Sequence, residues 1–167
     1  MELSITTLND LPEDLFETFI SETDEGKSVF SRLASTQTGN DRTVTRERME
    51  YVKNSPDHLM MICLKDEQEL AGMVLAQKVT GINNSYMYIH DIVVDPEIRG
   101  GGIGGRLMEA VMEGGGQKWS EIVRIQLTSR PSRGTGPFFQ KHGFRPRTKE
   151  SGDETIVYVR DIGDYKS

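Results

Sequence analysis

Cysteine occurs once in these 167 residues, so no intramolecular disulfide can staple the fold. Cys63 lies in the apolar run LMMICL, which reads as a buried strand, and its expected role is packing rather than the chemistry of an open, reactive thiol. The three histidines, His58, His90 and His142, show no paired metal-ligand spacing among themselves or with Cys63, so no metal is expected. No run of 18 apolar residues is present to span a membrane. The first residues, MELSITTLNDLPEDL, have neither a basic start nor an apolar h-region, so no secretory signal is read and a cytoplasmic location is expected. A GxSxG elbow is missing, which argues against a serine hydrolase. The phosphate-loop pattern GxxxxGK[ST] is missing too, because the triplet Gly26-Lys27-Ser28 lacks its leading glycine.

What is present suits one domain with a substantial core, taken as residues 1–167 with 161–167 as a flexible tail. The formal net charge is -6, but it is unevenly spread: residues 1–50 carry 11 acids against 5 Lys or Arg, and residues 124–149 carry 7 Lys or Arg and no acid. Such a field can steer a cationic substrate to one region and a polyanion to another, or simply be solvated surface. Nucleic acid is not expected as a partner, since the basic run has few aromatics for stacking and the overall charge opposes it.

Periodicity gives the order β α α β β β α β α β β. Glu2 to Thr7 alternates as a strand; Asp10, as N-cap, and Pro12 start a helix reaching about Glu25. Residues 26–42 have no sustained period and read as a long loop, of the kind that is often functional. A helix over Thr43 to Asn54, with Thr45 as N-cap, precedes strands at His58–Lys65, Leu70–Val79 and Tyr86–Val94. A helix from near Ile103 is expected to stop at Gly114-Gly115-Gly116. A strand over Glu121 to Ser129, a short helix at Gly136–Lys141, and strands at Gly143–Arg147 and Thr155–Arg160 complete an α/β domain around one mixed sheet.

The stretch that organises the rest is SYMYIHDIVVDPEIRGGGIGGRLMEAV, residues 85–111: a strand, a turn at Asp95-Pro96, a glycine-rich loop and an amphipathic helix. Free amides at a helix start, added to the positive end of its dipole, suit a phosphate or pyrophosphate. Gly100, Gly102 and Gly105 satisfy GxGxxG, but residues 95–99 separate strand from loop and 124–127 hold no acid, which argues against a dinucleotide fold.

The segment Arg99-Gly100-Gly101-Gly102-Ile103-Gly104, an RxxGxG pattern after a VVDPE strand end, resembles the acyl-CoA-binding motif of the GNAT superfamily of N-acyltransferases. Phe138-Phe139-Gln140-Lys141-His142-Gly143-Phe144 is similar to that superfamily's FYxKxGF segment, and with TSRP at 128–131 the likeness spans roughly 85–148. It implies a central, mostly antiparallel sheet flanked by helices, with acetyl-CoA as co-substrate in an opening beside the glycine-loop strand. It also implies that the loop amides of Gly100 to Gly105 hold the CoA pyrophosphate and that residues 26–42 shape the acceptor site. Ile92, Val93 and Val94 would offer backbone to the pantetheine arm, while Arg99 and Arg106 would add charge. Phe138 would adjoin the cofactor. Arg130 and Arg133 would meet either a CoA phosphate or an anionic part of the acceptor, or remain surface charge. Many members dimerise, and the final strands offer a surface for it.

Transfer from a thioester to an amine needs a base, donors to the developing oxyanion and a proton for the thiolate. The base candidates are His90 and Asp91, in the middle of the key strand. Strict alternation would put His90 with Tyr88, Ile92 and Val94, and Asp91 with Ile89 and Val93, so at most one would face the cleft. Phe139 stands where many members have the tyrosine that protonates the thiolate. Water, Ser129, Ser132 or another tyrosine could substitute. The resulting reading is an acetyl-CoA-dependent N-acetyltransferase acting on a small-molecule, N-terminal or lysine amine. The alternative is an acyl-CoA-binding sensor whose catalysis has decayed.

Overall fold

The computed structural model describes residues 1–37, 39–98, 100–147, 152 and 154–162. Its elements are β1 (Leu3–Thr7), α1 (Glu13–Ile20), α2 (Val29–Thr36), α3 (Arg46–Asn54), β2 (His58–Lys65), β3 (Glu69–Thr80), β4 (Ser85–Val94), α4 (Ile103–Lys118), β5 (Ile122–Ser129), α5 (Gly136–Lys141), β6 (Arg145–Pro146) and β7 (Ile156–Asp161), with a 3-10 turn at Pro131–Arg133. The strands form one sheet in the order β1-β2-β3-β4-β5-β7-β6. Every neighbouring pair is antiparallel except β4 with β5, which the α4 crossover makes parallel.

Each face of the sheet buries a separate apolar layer. On one, α4 sets Leu107, Met108, Val111 and Met112 against Val74, Met87 and Ile125. On the other, Phe16, Phe19, Phe30, Leu33 and Met49 from α1, α2 and α3 cover Met60, Ile62, Met73 and Val93. Cys63 is fully buried in the first layer, where desolvation raises its thiol pKa more than the charge of Arg106 lowers it.

Residues 26–42 are not one long loop. Ser28 caps α2 by accepting a 3.0 Å hydrogen bond from the Ser31 N–H, and Phe30 and Leu33 are buried. The helix makes eight residues only, and Ser31, Arg32, Ser35 and Thr36 interrupt its apolar positions, so its period is hidden. The preceding helix ends at Ile20 rather than near Glu25, because Ser21 turns extended at φ -75°, ψ 142°, and Pro12 rather than Asp10 occupies its N-cap.

The triple glycine does not stop α4, which continues to Lys118. A Cβ at Gly114 would lie 2.6 Å from Met61 Cε, and one at Gly115 would collide with Met87 Sδ. These glycines let the helix lie directly on β2 and β4, and Trp119 anchors its end through a 2.9 Å bond from Nε1 to the Pro56 carbonyl. The apolar area closed off by that approach outweighs a propensity cost of about 1 kcal/mol per glycine. The strand expected over 143–147 shortens to Arg145–Pro146. Asp161 pairs with Arg124 in the sheet and Ile162 is buried, so the chain is ordered past the expected start of its tail; residues 163–167 lie outside the described set.

Candidate active site

Two departures from regular strand geometry create the site. The parallel pairing of β4 with β5 ends at Tyr88 opposite Gln126, although β4 runs on to Val94 and β5 to Ser129. The two strands therefore separate, and a cavity of about 590 Å³ opens between them, walled by His90, Asp91, Ile92, Thr128, Ser129 and Phe139 among others.

The second departure is a bulge in β4. Leu75 of β3 stands opposite Asp91 while the next residue, Ala76, stands opposite Ile89, so His90 is the extra residue. Before the bulge Met87 and Ile89 point to the α4 layer; after it, Ile92 and Val94 do, and Val93 points to the other. Strict alternation thus fails at His90. Asp91 shares a face with its partner Leu75, and Leu75 shares a face with Gln77 two residues on, whose Oε1 lies 2.7 Å from His90 Nε2. His90 and Asp91 consequently both wall the cleft, contrary to the alternation read from sequence.

The imidazole of His90 meets the Tyr88 ring edge-on, with centroids 4.8 Å apart. With the Gln77 oxygen facing Nε2, that nitrogen carries the proton and Nδ1 keeps its lone pair. The residue is exposed by area, yet the cleft walls displace enough water to lower its pKa below the ordinary 6.5. The negative charge of Asp91 opposes this shift, and His58 adds slightly to it. Neutral imidazole with a free lone pair is the form a base requires.

The other predicted residues divide into groups. Gly100, Gly101 and Gly102 take φ of +84°, +78° and +59° in succession, a left-handed run that side chains rarely adopt. Gly102 caps α4, whose first i to i-4 bond is donated by the Arg106 N–H at 2.9 Å, so the amides of Ile103, Gly104 and Gly105 have no acceptor within the helix. A Cβ on Gly104 would touch Phe138 and Val94 at 3.6 to 3.8 Å, which brings the loop, the end of β4 and α5 together. Ile103 is buried, as is Val93, while Ile92 walls the cleft. Arg106 donates from Nη1 to the Leu3 carbonyl at 3.3 Å and lines a separate pocket with Gly101, Gly102 and Gly105. Gly105 packs on His142, whose Nδ1 pairs with Glu109 at 3.0 Å. Arg99 lies outside the described residues.

Arg130 and Arg133 are exposed and both line the cleft. Ser129 also lines it, with its hydroxyl 2.8 Å from that of Thr135; Ser132 sits on the 3-10 turn, exposed, and is not among the wall residues. Phe139 is buried, its ring 5.5 Å from that of Tyr158, and brings no hydroxyl to the cleft. Two residues escaped sequence reasoning. Gln77 needs the strand register to be seen beside His90, and Gln37, at the C-cap of α2, was hidden in the segment read as loop. Among the described residues no cluster of three or more metal-ligating side chains occurs, and no helix is long and apolar enough to cross a membrane.

Comparison with known proteins agrees with this geometry. Residues 27–144 match the model of the acetyltransferase (GNAT) family, well over half of the chain, and the chain belongs to that family. No curated protein sequence matches it. Among solved structures it is similar to a GNAT-family acetyltransferase from Streptococcus pneumoniae, at 20% identity over 97% of this chain and 100% of the other, with a TM-score of 0.68. It is similar also to Arabidopsis thaliana NAA60, solved with a bisubstrate analogue, at 16% identity over 96% and 98%, TM-score 0.66. A third is a Bacillus anthracis protein classed as a streptothricin acetyltransferase and solved with acetyl coenzyme A, at 19% identity over 96% and 99%, TM-score 0.64. At such identities these likenesses establish a shared fold.

Proposed function

We propose that the protein transfers an acetyl group from acetyl-CoA to a primary amine by direct attack in a ternary complex. The observation that carries this reading is the separation of β4 from β5 immediately before His90 and Asp91. It leaves the β4 backbone from Ile89 to Val94 without a β5 partner, an edge on which the peptide-like arm of CoA can pair as an added strand. The left-handed turn at Gly100 to Gly102 and the free amides of Ile103 to Gly105 fit a pyrophosphate, which a side chain in the cradle would obstruct. The relative from Bacillus anthracis, solved with acetyl coenzyme A, supports the choice of co-substrate.

When bound, acetyl-CoA supplies an acyl thioester whose carbonyl carbon accepts the amine with loss of the thiol. His90 is the base: its Nδ1 lone pair takes one proton from the acceptor ammonium, directly or through a water, while Gln77 holds the ring. Asp91 attracts the ammonium beforehand and loses that attraction once the nitrogen becomes a neutral amide, which favours release. The N–C bond forms as the C–S bond breaks, and the second proton lost from nitrogen converts the departing thiolate to thiol. Ser129 and the Thr135 hydroxyl beside it are candidate donors on the cleft wall.

Phe139 favours a second reading, a module that binds acyl-CoA and turns nothing over, since its ring has no proton to give. Calorimetric titration with acetyl-CoA, with NAD and ATP as controls, followed by thiol release with an amine panel, separates the two. Selective acetyl-CoA binding with thiol release supports the enzyme; binding without release supports the sensor. Binding to a folded Gly104→Glu variant equal to that of the parent would remove the glycine loop from the site.

A further inference from the structure

A second cavity of about 600 Å³ opens from the same place on the helix side of the sheet and shares Gln37, Asp91 and Arg133 with the cleft. Its composition is asymmetric. The floor is apolar, built from Met49 and Val52 of α3, Met60 of β2, Met73 and Leu75 of β3, and Val93 of β4. Among the described residues, Asp91 is the sole acid on its wall, and three guanidinium groups, Arg42, Arg48 and Arg133, are the only cations. None of the three forms an ion pair with a described residue, whereas Arg32, Arg46 and Arg145 do, with Glu25, Glu17 and Asp161.

We infer that the acceptor is a hydrophobic amino acid or a close analogue: an amine that also carries a carboxylate, on an apolar body. The inference rests on the acetyltransferase reading and names the substrate class for it. An ammonium is drawn to the single carboxylate, Asp91, which stands where the two cavities meet and beside His90. All three guanidinium groups are exposed, so beside a plain apolar amine they face only water. A carboxylate supplies a counter-charge, and guanidinium binds carboxylate through paired, charge-assisted hydrogen bonds. Arg133 reaches both cavities and suits a carboxylate on the carbon next to the amine; Arg42 and Arg48 suit one further along the body. The methionine, leucine and valine side chains accept an apolar body, and Gln37 and Thr43 are the uncharged polar side chains that line the cavity beside them. A polyamine or a lysine-rich peptide is disfavoured by the same three arginines.

The test is a matched series with the full chain and acetyl-CoA. Thiol release is measured with L-phenylalanine, L-leucine and L-methionine, each beside its decarboxylated amine, phenethylamine, isoamylamine and 3-(methylthio)propylamine, and with L-glutamate as a polar control. At least one apolar amino acid is expected to exceed its decarboxylated partner in kcat/KM by about tenfold or more, the worth of one hydrogen bond to a charged group. It should also exceed glutamate. Arg48→Gln and Arg42→Gln should raise KM for that amino acid several-fold, with the double variant showing the larger effect. Equal use of the amino acid and its decarboxylated partner, or no thiol release from any of the three amino acids while calorimetry still detects acetyl-CoA binding, would overturn the inference and leave cofactor recognition standing. Failure of acetyl-CoA to bind the parent protein would instead overturn the acetyltransferase reading, and this inference with it.

Discussion

Gln77 Oε1 stands 2.7 Å from His90 Nε2, across two strands whose register slips by one residue between Leu75 and Ala76. That slip turns His90 and Asp91 toward one cleft, and Gln77 then selects the tautomer that leaves Nδ1 free. One irregularity in the ladder therefore places the proposed base, its hydrogen-bond partner and a carboxylate together.

Activity should follow the protonation of His90. Since the cleft lowers its pKa, the acid limb of kcat/KM is expected to inflect below 6.5 and to be flat above it until the amine itself titrates. Asp91 raises the His90 pKa against the prevailing shift, so Asp91→Asn should move that limb to still lower pH, and should also raise KM for the amine. The same linkage acts on stability. A neutral histidine favoured by folding contributes stability that is intact above 6.5 and is lost as pH falls from 6.5 to the folded value. An Asp91→Asn profile displaced to higher pH would refute the charge assignment.

Gln77→Leu removes the acceptor from Nε2 while leaving the strand apolar and intact. It is expected to reduce kcat by at least about tenfold, because the ring loses its orientation and its preferred tautomer, with acetyl-CoA affinity changed little. Rescue of kcat by Gln77→Glu, whose carboxylate also accepts from Nε2, would distinguish orientation from a general structural effect. Glutamate should in addition raise the pKa of His90 and shift the acid limb upward.

What the sequence conveyed and what it hid follow from the range of the interactions involved. The glycine loop was legible because three consecutive left-handed residues at 100–102 require local chemistry that only glycine supplies freely. Thr45 as the α3 cap and the β2, β3 and β4 strands were legible for the same local reason. The α2 helix was not, since eight residues with three buried positions hold together by packing on the sheet rather than by their own pattern. Nor was the bulge at His90, because a register shift is decided by two strands at once. The continuation of α4 through Gly114 to Gly116 depended on Met61 and Met87, both far away in sequence.

Gly115→Ala provides a measure of that last effect. Alanine would improve helix propensity by about 1 kcal/mol, but its Cβ would collide with Met87 Sδ and lie 3.0 Å from Met87 Cε, in a side chain that is fully buried. Overpacking of this kind costs about 1 to 3 kcal/mol, so a net loss of up to about 2 kcal/mol is expected in urea unfolding. In a double-mutant cycle, Gly115→Ala should cost less in a Met87→Ala background than in the parent, because the side chain it strikes is gone. A gain in stability from the single change would mean that α4 is not held close to β4.

The β2–β3 turn offers the opposite case. Asp66 and Glu67 take φ of +50° and +61°, both left-handed, in the three-residue turn 66–68, where the Gln68 N–H donates to the Lys65 carbonyl at 3.1 Å and a pair of left-handed residues favours Asn-Gly or Asp-Gly. Asp66 also accepts a 2.9 Å bond from the Glu2 N–H, whereas Glu67 pays the conformational cost alone. Glu67→Gly should therefore stabilise the fold by about 0.5 to 1 kcal/mol, the left-handed penalty of about 1 to 2 kcal/mol less the added flexibility of the unfolded chain. Thermal unfolding checks it, and a lowered Tm would refute the argument.

Phe139→Tyr asks whether the missing hydroxyl limits turnover. The ring lies on the cleft wall and is packed against Phe138, Phe144 and Tyr158, with centroids 5.5, 6.3 and 5.5 Å away, so its position is fixed before any hydroxyl is added. One oxygen at the end of that ring changes the volume little and should alter stability by less than about 1.5 kcal/mol. If the thiolate now leaves with only water or a hydroxyl such as Ser129 to protonate it, a phenol held at the wall should raise kcat by about tenfold or more, at the low end of what general acids supply. KM for the amine and the affinity for acetyl-CoA should stay close to those of the parent, because neither contact is altered. An unchanged kcat in a folded variant would show that protonation of the thiolate is not the slow step, and would leave the attack, for which His90 is the proposed base, as the step to test.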